Sequence, residues 1–136
     1  YTHALTHWRK VINLLQELRD KRGMMVILVA HAKVERFEDP ENAAYDRYTP
    51  RLHKHAASLI AEWVDAVLFA NKKFRVTKEN DRAIAAPIGS DGGERIIRTV
   101  GSPACIAKNR YGLPAEIPLS WQAFIDAYIK IEEQNK

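Results

Sequence analysis

A single cysteine, Cys105, in 136 residues excludes an internal disulfide, and with it the stapled class of small secreted domains. Its neighbours Ala104, Ile106 and Ala107 are small or apolar, so Cys105 reads as a buried small hydrophobe. No apolar run approaches the roughly 20 residues a membrane-spanning helix needs, and no secretory leader pattern is visible; no membrane association and a cytoplasmic location are expected. No G-x-S-x-G occurs, and spacing suggests no base beside Cys105, so nucleophilic hydrolysis is not indicated. His53 and His55 form a His-x-His pair without further ligands at zinc spacing; two apart on a helix, they are expected on different faces, and no metal site is expected. The chain also lacks a phosphate-cradling G-x-x-x-x-G-K-[ST] loop. It has no internal repeat and no low-complexity tract.

What is present is the composition of an ordinary soluble domain, 46% hydrophobic and 28% charged. One domain over residues 1–136 is expected. The formal net charge of +4 permits a polyanionic partner. The cations gather at Lys33 to Arg36, Arg47 to Lys54, Lys72 to Lys78 and Lys108 to Arg110. A generally basic, solvated surface is the competing reading of each cluster.

Residues 2–22 place Leu5, Trp8, Val11, Ile12, Leu15 and Leu18 at helical spacing, and Gly23 ends the pattern. The unbroken apolar run Met24 to Ala30 follows, the pattern of a strand covered on both faces in a parallel sheet, with His31 at its carboxyl end. Residues 32–51 are polar, carry Pro40 and Pro50 and show no sustained period, so a long loop is expected. Helical spacing returns with Leu52, Ala56, Leu59, Ile60 and Trp63. Asp65 to Ala70 turns strand-like, and the pattern extends through Phe74 to Val76. Residues 79–93, with Pro87 and three glycines, read as a mobile connection. Arg95 to Val100, a turn at Gly101-Ser102-Pro103, and Ala104 to Lys108 have the pattern of a β-hairpin. Ser120 is a candidate N-cap for a last helix whose apolar face holds Trp121, Phe124, Ile125 and Tyr128.

The stretch Ala107-Lys108-Asn109-Arg110-Tyr111-Gly112-Leu113-Pro114 carries the most chemistry. An apolar run that ends in Lys-Asn-Arg and then Gly is a strand tip carrying two cations into a turn. Arg110 offers a planar fork to a phosphate and Lys108 a point charge. In an extended strand both project to one face, about 7 Å apart. A solvated hairpin tip is the alternative.

This tip resembles the Lys-x-Arg element near the end of the RecA-like ATPase core of hexameric helicases and RadA-type recombination proteins. His31 closing Val-Ile-Leu-Val-Ala, the segment Tyr45 to Lys54, Glu62 to Ala70 and Ala107 to Pro114 together resemble phage-type RecA-like AAA/P-loop ATP-binding proteins linked to recombination by single-strand annealing. The likeness runs over residues 4–124. It implies an α/β fold: a partial RecA-like P-loop NTPase core, parallel strands flanked by helices, with a carboxy-terminal antiparallel hairpin. It further implies that the chain is the carboxy-terminal part of such a core. ATP and Mg would then be held mainly by upstream residues, and these 136 residues alone would be inactive.

The resemblance also implies roles. His31 senses the terminal phosphate, although Gln or Asn is more usual there. Lys108 and Arg110 are trans-acting fingers that reach the nucleotide of a neighbouring subunit, and Asn109 holds the turn at that nucleotide interface. Residues 32–51 correspond to the loop that contacts single-stranded DNA. Lys33, Arg36, Arg47, Arg51 and Lys54 would meet phosphates, and Tyr48, with Phe37 and Tyr45, would stack on bases. Because residues 35–46 are net acidic, Arg47 to Lys54 is the stronger half. The expected partners are single-stranded DNA, further copies in a ring or filament, and a phage annealing protein. The rival reading is a non-enzymatic basic module binding single-stranded DNA or a partner on an α/β scaffold.

Overall fold

The computed structural model describes residues 2–79, 82–89 and 92–134. The chain divides into two compact units, Tyr1–Val64 and Asp65–Lys136, where the sequence showed no internal boundary. Each is built from α and β elements, and among the described residues every paired strand runs antiparallel to its neighbour.

In the first unit, α1 spans Thr2–Arg22. Arg19, Lys21 and Arg22 occupy its last turn, where cations oppose the negative end of the helix dipole. Gly23 then takes φ 61° and its N–H returns to the Arg19 carbonyl at 3.0 Å, a left-handed C-terminal cap that only glycine adopts without strain. The second helix, α2, spans Lys54–Trp63 and buries Ala56. The two helices pack together, and Trp63 Nε1 donates to Gln16 Oε1 at 2.8 Å. Of the expected apolar face of α1, Ile12 is buried and Leu5, Trp8 and Leu15 are partly covered; Val11 and Leu18 stay exposed.

Met24 to Ala30 is not a strand here. Among the described residues it has no sheet partner, and Val29 is 95% exposed. A strand of a parallel sheet gains its neighbours only through crossover connections, and the described residues place none beside this run.

Residues 32–51 are more ordered than a long loop. They form a hairpin of β1, Ala32–Phe37, and β2, Tyr45–Pro50, in the register Ala32↔Pro50 to Phe37↔Tyr45. The physical reason is cross-strand chemistry that a linear reading does not see: Glu35 lies opposite Arg47 and Arg36 opposite Asp46. Asp39 shapes the connection, its carboxylate accepting the Glu41 and Asn42 N–H groups at 2.9 and 3.2 Å.

The second unit is organised around β7, Arg95–Arg98. It lies between β4, Phe69–Lys72, and β9, Glu116–Pro118. Its Ile96 is 1% exposed, and Ile97, Thr99, Cys105, Leu113 and Ile117 are buried in the same unit; Ile97 lies opposite Ile117, on the other face of β7 from Ile96. The burial of Cys105 follows its apolar setting. A two-stranded ladder pairs β3, Ala66–Val67, with β8, Lys108–Asn109.

The expected hairpin between Arg95–Val100 and Ala104–Lys108 is therefore corrected. Both edges of β7 are already occupied by β4 and β9, so β8 turns to β3 instead. Only a tight turn remains between them, closed by mutual hydrogen bonds of Ser102 and Cys105 at 3.0 and 3.2 Å.

Residues 79–93, read as a mobile connection, contain a strand. A hairpin of β5, Phe74–Glu79, and β6, Arg82–Pro87, projects with nearly all its side chains exposed. Residues 80, 81, 90 and 91 lie outside the described residues. Lys73 secures the base of this hairpin, pairing with Glu94 at 3.6 Å and more closely with Glu116. The last helix, α3, spans Trp121–Gln134 and packs on β9, with the Ser120 hydroxyl 3.4 Å from the Ala123 N–H.

Candidate functional site

The Lys108–Arg110 tip stands on a turn locked by side chains. Asn109 Oδ1 accepts the Leu113 N–H at 2.9 Å, and its Nδ2 donates to the Leu113 carbonyl at 2.8 Å and to Thr99 Oγ1 at 3.3 Å. Thr99 is wholly buried, and its hydroxyl donates to the Pro114 carbonyl at 2.7 Å. A short amide thus spans the turn like an extra peptide, and Gly112 supplies the φ of 70° that closes it. These bonds hold the turn that follows Lys108 and Arg110.

Arg110 is tied at both ends to one residue. Its N–H donates to the Asp65 carbonyl at 3.1 Å, extending the β3–β8 ladder, and its Nη1 donates to Asp65 Oδ1 at 3.2 Å. The other carboxylate oxygen accepts the Tyr111 hydroxyl at 3.4 Å. Tyr111 in turn meets Tyr128 edge-on, with ring centroids 5.2 Å apart and planes at 87°. Tyr128 donates to Glu132 Oε1 at 3.0 Å, and that carboxylate pushes the phenol's pKa upward. The Arg110 side chain is 55% exposed against 25% for Asp65, so the cation sits at the surface on a more sheltered carboxylate. Asp65 was not singled out from the sequence. Its signal was an acid at the boundary between the α2 pattern and a strand-like run, but its partner lies 45 residues further on.

The first unit carries the other expected residues. The His31 carbonyl accepts the Arg51 N–H at 2.7 Å, closing the open end of the β1–β2 hairpin. The imidazole of His31 is exposed. Opposed residues share a face, which puts Lys33, Glu35, Phe37, Tyr45, Arg47 and Thr49 on one side and Val34, Arg36, Asp46 and Tyr48 on the other.

On the first face the Arg47 guanidinium lies 3.8 Å from the Phe37 ring centroid, and the Phe37 and Tyr45 rings meet at a tilt of 51° with centroids 5.4 Å apart. Lys33 pairs with Glu35 at 3.4 Å; on the second face Arg36 pairs with Asp46 at 3.8 Å. The expected DNA-contacting residues are therefore split between two faces, and two of them, Lys33 and Arg36, are paired with the carboxylates of Glu35 and Asp46. Arg51 and Lys54 lie beyond the hairpin, Lys54 as the first residue of α2. His53 precedes that helix instead of lying on it, and its ring centroid is 5.4 Å from that of His55. The expectation of divergent faces assumed helical geometry at both, and is corrected.

The resemblance implies ATP with magnesium, and the residues present do not form a cradle for them. Among the described residues no three His, Cys, Asp or Glu side chains cluster in a metal-holding group. The glycines with positive φ, at positions 23, 89, 92, 93 and 112, follow α1 or border strands, and none opens a helix as a phosphate loop does. Among the described residues no helix is long and apolar enough to cross a membrane.

Compared with known proteins, residues 1–111 match the family model described as an AAA domain. No curated protein and no solved structure matches the chain. The match takes in both hairpins, the β3–β8 ladder and the Lys108–Arg110 tip. By that match over most of its length, the chain belongs to the AAA domain family, a family of ATPase-type domains.

Proposed function

We propose that this chain is the finger-bearing part of a RecA-like, DNA-dependent ATPase that acts in phage recombination by single-strand annealing. In this reading copies assemble into a ring or filament in the cytoplasm of a bacterial or phage-infected cell. Lys108 and Arg110 of one copy neutralise charge on the terminal phosphate of ATP held by its neighbour. Such a cation lowers the barrier because phosphoryl transfer is catalysed mainly by positioning and charge neutralisation. The phosphate loop and the magnesium-holding acid come from a segment outside these residues. Met24 to Ala30 pairs with that segment's strands as part of a parallel core, which brings His31 to the strand tip as a phosphate sensor.

The observation that carries the reading is the two-cation tip on a turn locked by Asn109, in a chain of the AAA domain family. Single-stranded DNA is assigned to the Arg47–Lys54 side. Arg47 stacked on Phe37 is already a cation–π surface, and Lys54 adds charge where the N-terminus of α2 is itself positive. An annealing protein is the expected further partner.

The test is ATP turnover by the intact polypeptide with and without single-stranded DNA. Lys108→Ala and Arg110→Ala are each expected to reduce stimulated turnover by on the order of 10³-fold, with nucleotide affinity changed much less. Wild-type rates in both would end the finger assignment.

A second reading is favoured by the exposed Tyr48 and the stacked Arg47: a nucleotide-independent module for single strands. It predicts binding that weakens steeply with salt and is indifferent to ATP.

A further inference from the structure

We propose that Asp65 is the positioning residue of the Arg110 finger, and that the carboxylate sets the direction in which the guanidinium leaves the β8 tip. The inference rests on the finger reading above.

A long, exposed arginine loses much rotamer freedom when it must meet a phosphate at one place, and that loss opposes catalysis unless something restrains the side chain beforehand. Asp65 supplies the restraint from both ends. Its carbonyl holds the root of Arg110 through the N–H at 3.1 Å, and its Oδ1 holds the tip through Nη1 at 3.2 Å.

The carboxylate is itself oriented. Oδ2 accepts the Tyr111 hydroxyl at 3.4 Å, and the Tyr111 ring is fixed by the edge-on contact with Tyr128 at 5.2 Å. The chain of contacts thus runs from α3 through two tyrosines to one carboxylate and ends at the cation. Because Arg110 is more than half exposed, the ion pair adds little to stability. Its consequence is direction: a planar fork held by one carboxylate is presented to a phosphate already aligned.

The experiment measures kcat and KM for ATP in the intact polypeptide with single-stranded DNA, for wild type, D65N, D65E, Y111F, R110A and the double variant D65N/R110A, each with its thermal unfolding curve. D65N is expected to lower kcat about tenfold while KM stays within about twofold, because an interaction made in the transition state is weakened. D65E, which keeps the charge, recovers most of the loss. The double variant turns over no more slowly than R110A alone, since Asp65 acts only through Arg110.

Turnover of D65N at or above the wild-type rate, with R110A inactive, overturns the Asp65 proposal and leaves the finger standing. Additive losses in the double variant overturn it equally. R110A at the wild-type rate overturns the finger reading itself, and this inference with it. Should D65N fail to fold, Y111F decides: a fall of about threefold in kcat supports the relay and wild-type kcat overturns it.

Discussion

Asn109 illustrates how much one side chain decides in this protein. Its amide makes three hydrogen bonds that no water reproduces simply, because the buried Thr99 and the Leu113 backbone lie behind it. Asn109→Ala is expected to cost about 2–3 kcal/mol, measured by urea unfolding of the chain. Asn109→Asp keeps the acceptor for the Leu113 N–H but sets a carboxylate against the Leu113 carbonyl, so it should fall between the two. A wild-type midpoint for the alanine variant would mean that the turn holds itself.

Cys105 offers a second test at this scale. At 1% exposure its thiol should react with a thiol reagent only as fast as the second unit opens, and at full speed in denaturant. Rapid labelling of the folded chain would contradict its place in the core.

At the scale of elements, the base of the β5–β6 hairpin combines a steric and an electrostatic requirement. Gly93 has φ 111°, and a Cβ there would lie 3.2 Å from Pro87 Cβ and 3.3 Å from the Lys73 carbonyl oxygen. Gly93→Ala is expected to destabilise by about 1–3 kcal/mol in urea unfolding, through strain and crowding together.

Lys73 beside it has its pKa raised above the ordinary 10.5, first by the hydrogen bond to Glu116 and also by the charges of Glu116 and Glu94. The folded state therefore binds this proton more tightly than the unfolded chain does. The resulting stability is fully present below pH 10.5 and is lost as pH rises through the higher folded value. Lys73→Met should flatten the alkaline limb of a stability–pH curve, and an unchanged limb would show that the pair contributes nothing there.

The β1–β2 hairpin shows the opposite balance, since its carboxylates meet its cations across the ladder. Its charge pattern resembled a loop in one dimension because the pairing that makes it a hairpin joins residues up to 18 apart, Ala32 to Pro50.

At the scale of the whole molecule, the helices were legible from periodicity: α1 and α3 lie where Leu5 to Leu18 and Trp121 to Tyr128 placed them, and α2 begins at Lys54, two residues after the Leu52 that opened its expected period. The strands were less so. Met24 to Ala30 has the apolar pattern of a buried strand and is largely exposed here, so Val29→Lys should leave the unfolding free energy of this chain within about 0.5 kcal/mol of wild type. In the intact ATPase of the proposed reading the same substitution should abolish folding or turnover, because the run would then be covered on both faces. A fully active variant would remove Met24 to Ala30 from any sheet core.

What the sequence by itself determined was local: the helices and the glycine stop of α1, the buried setting of Cys105, the cations at Lys108 and Arg110, and the motifs that resemble a RecA-like ATPase. Periodicity, turn chemistry and composition act between near neighbours, so they can be read in order along the chain. Only the tertiary structure decided which strand β7 and β8 would each accept, that Asp65 would hold Arg110, and that Glu35 and Asp46 would face Arg47 and Arg36. Those outcomes depend on competition for a limited number of strand edges and on side chains far apart in sequence, and neither leaves a periodic trace.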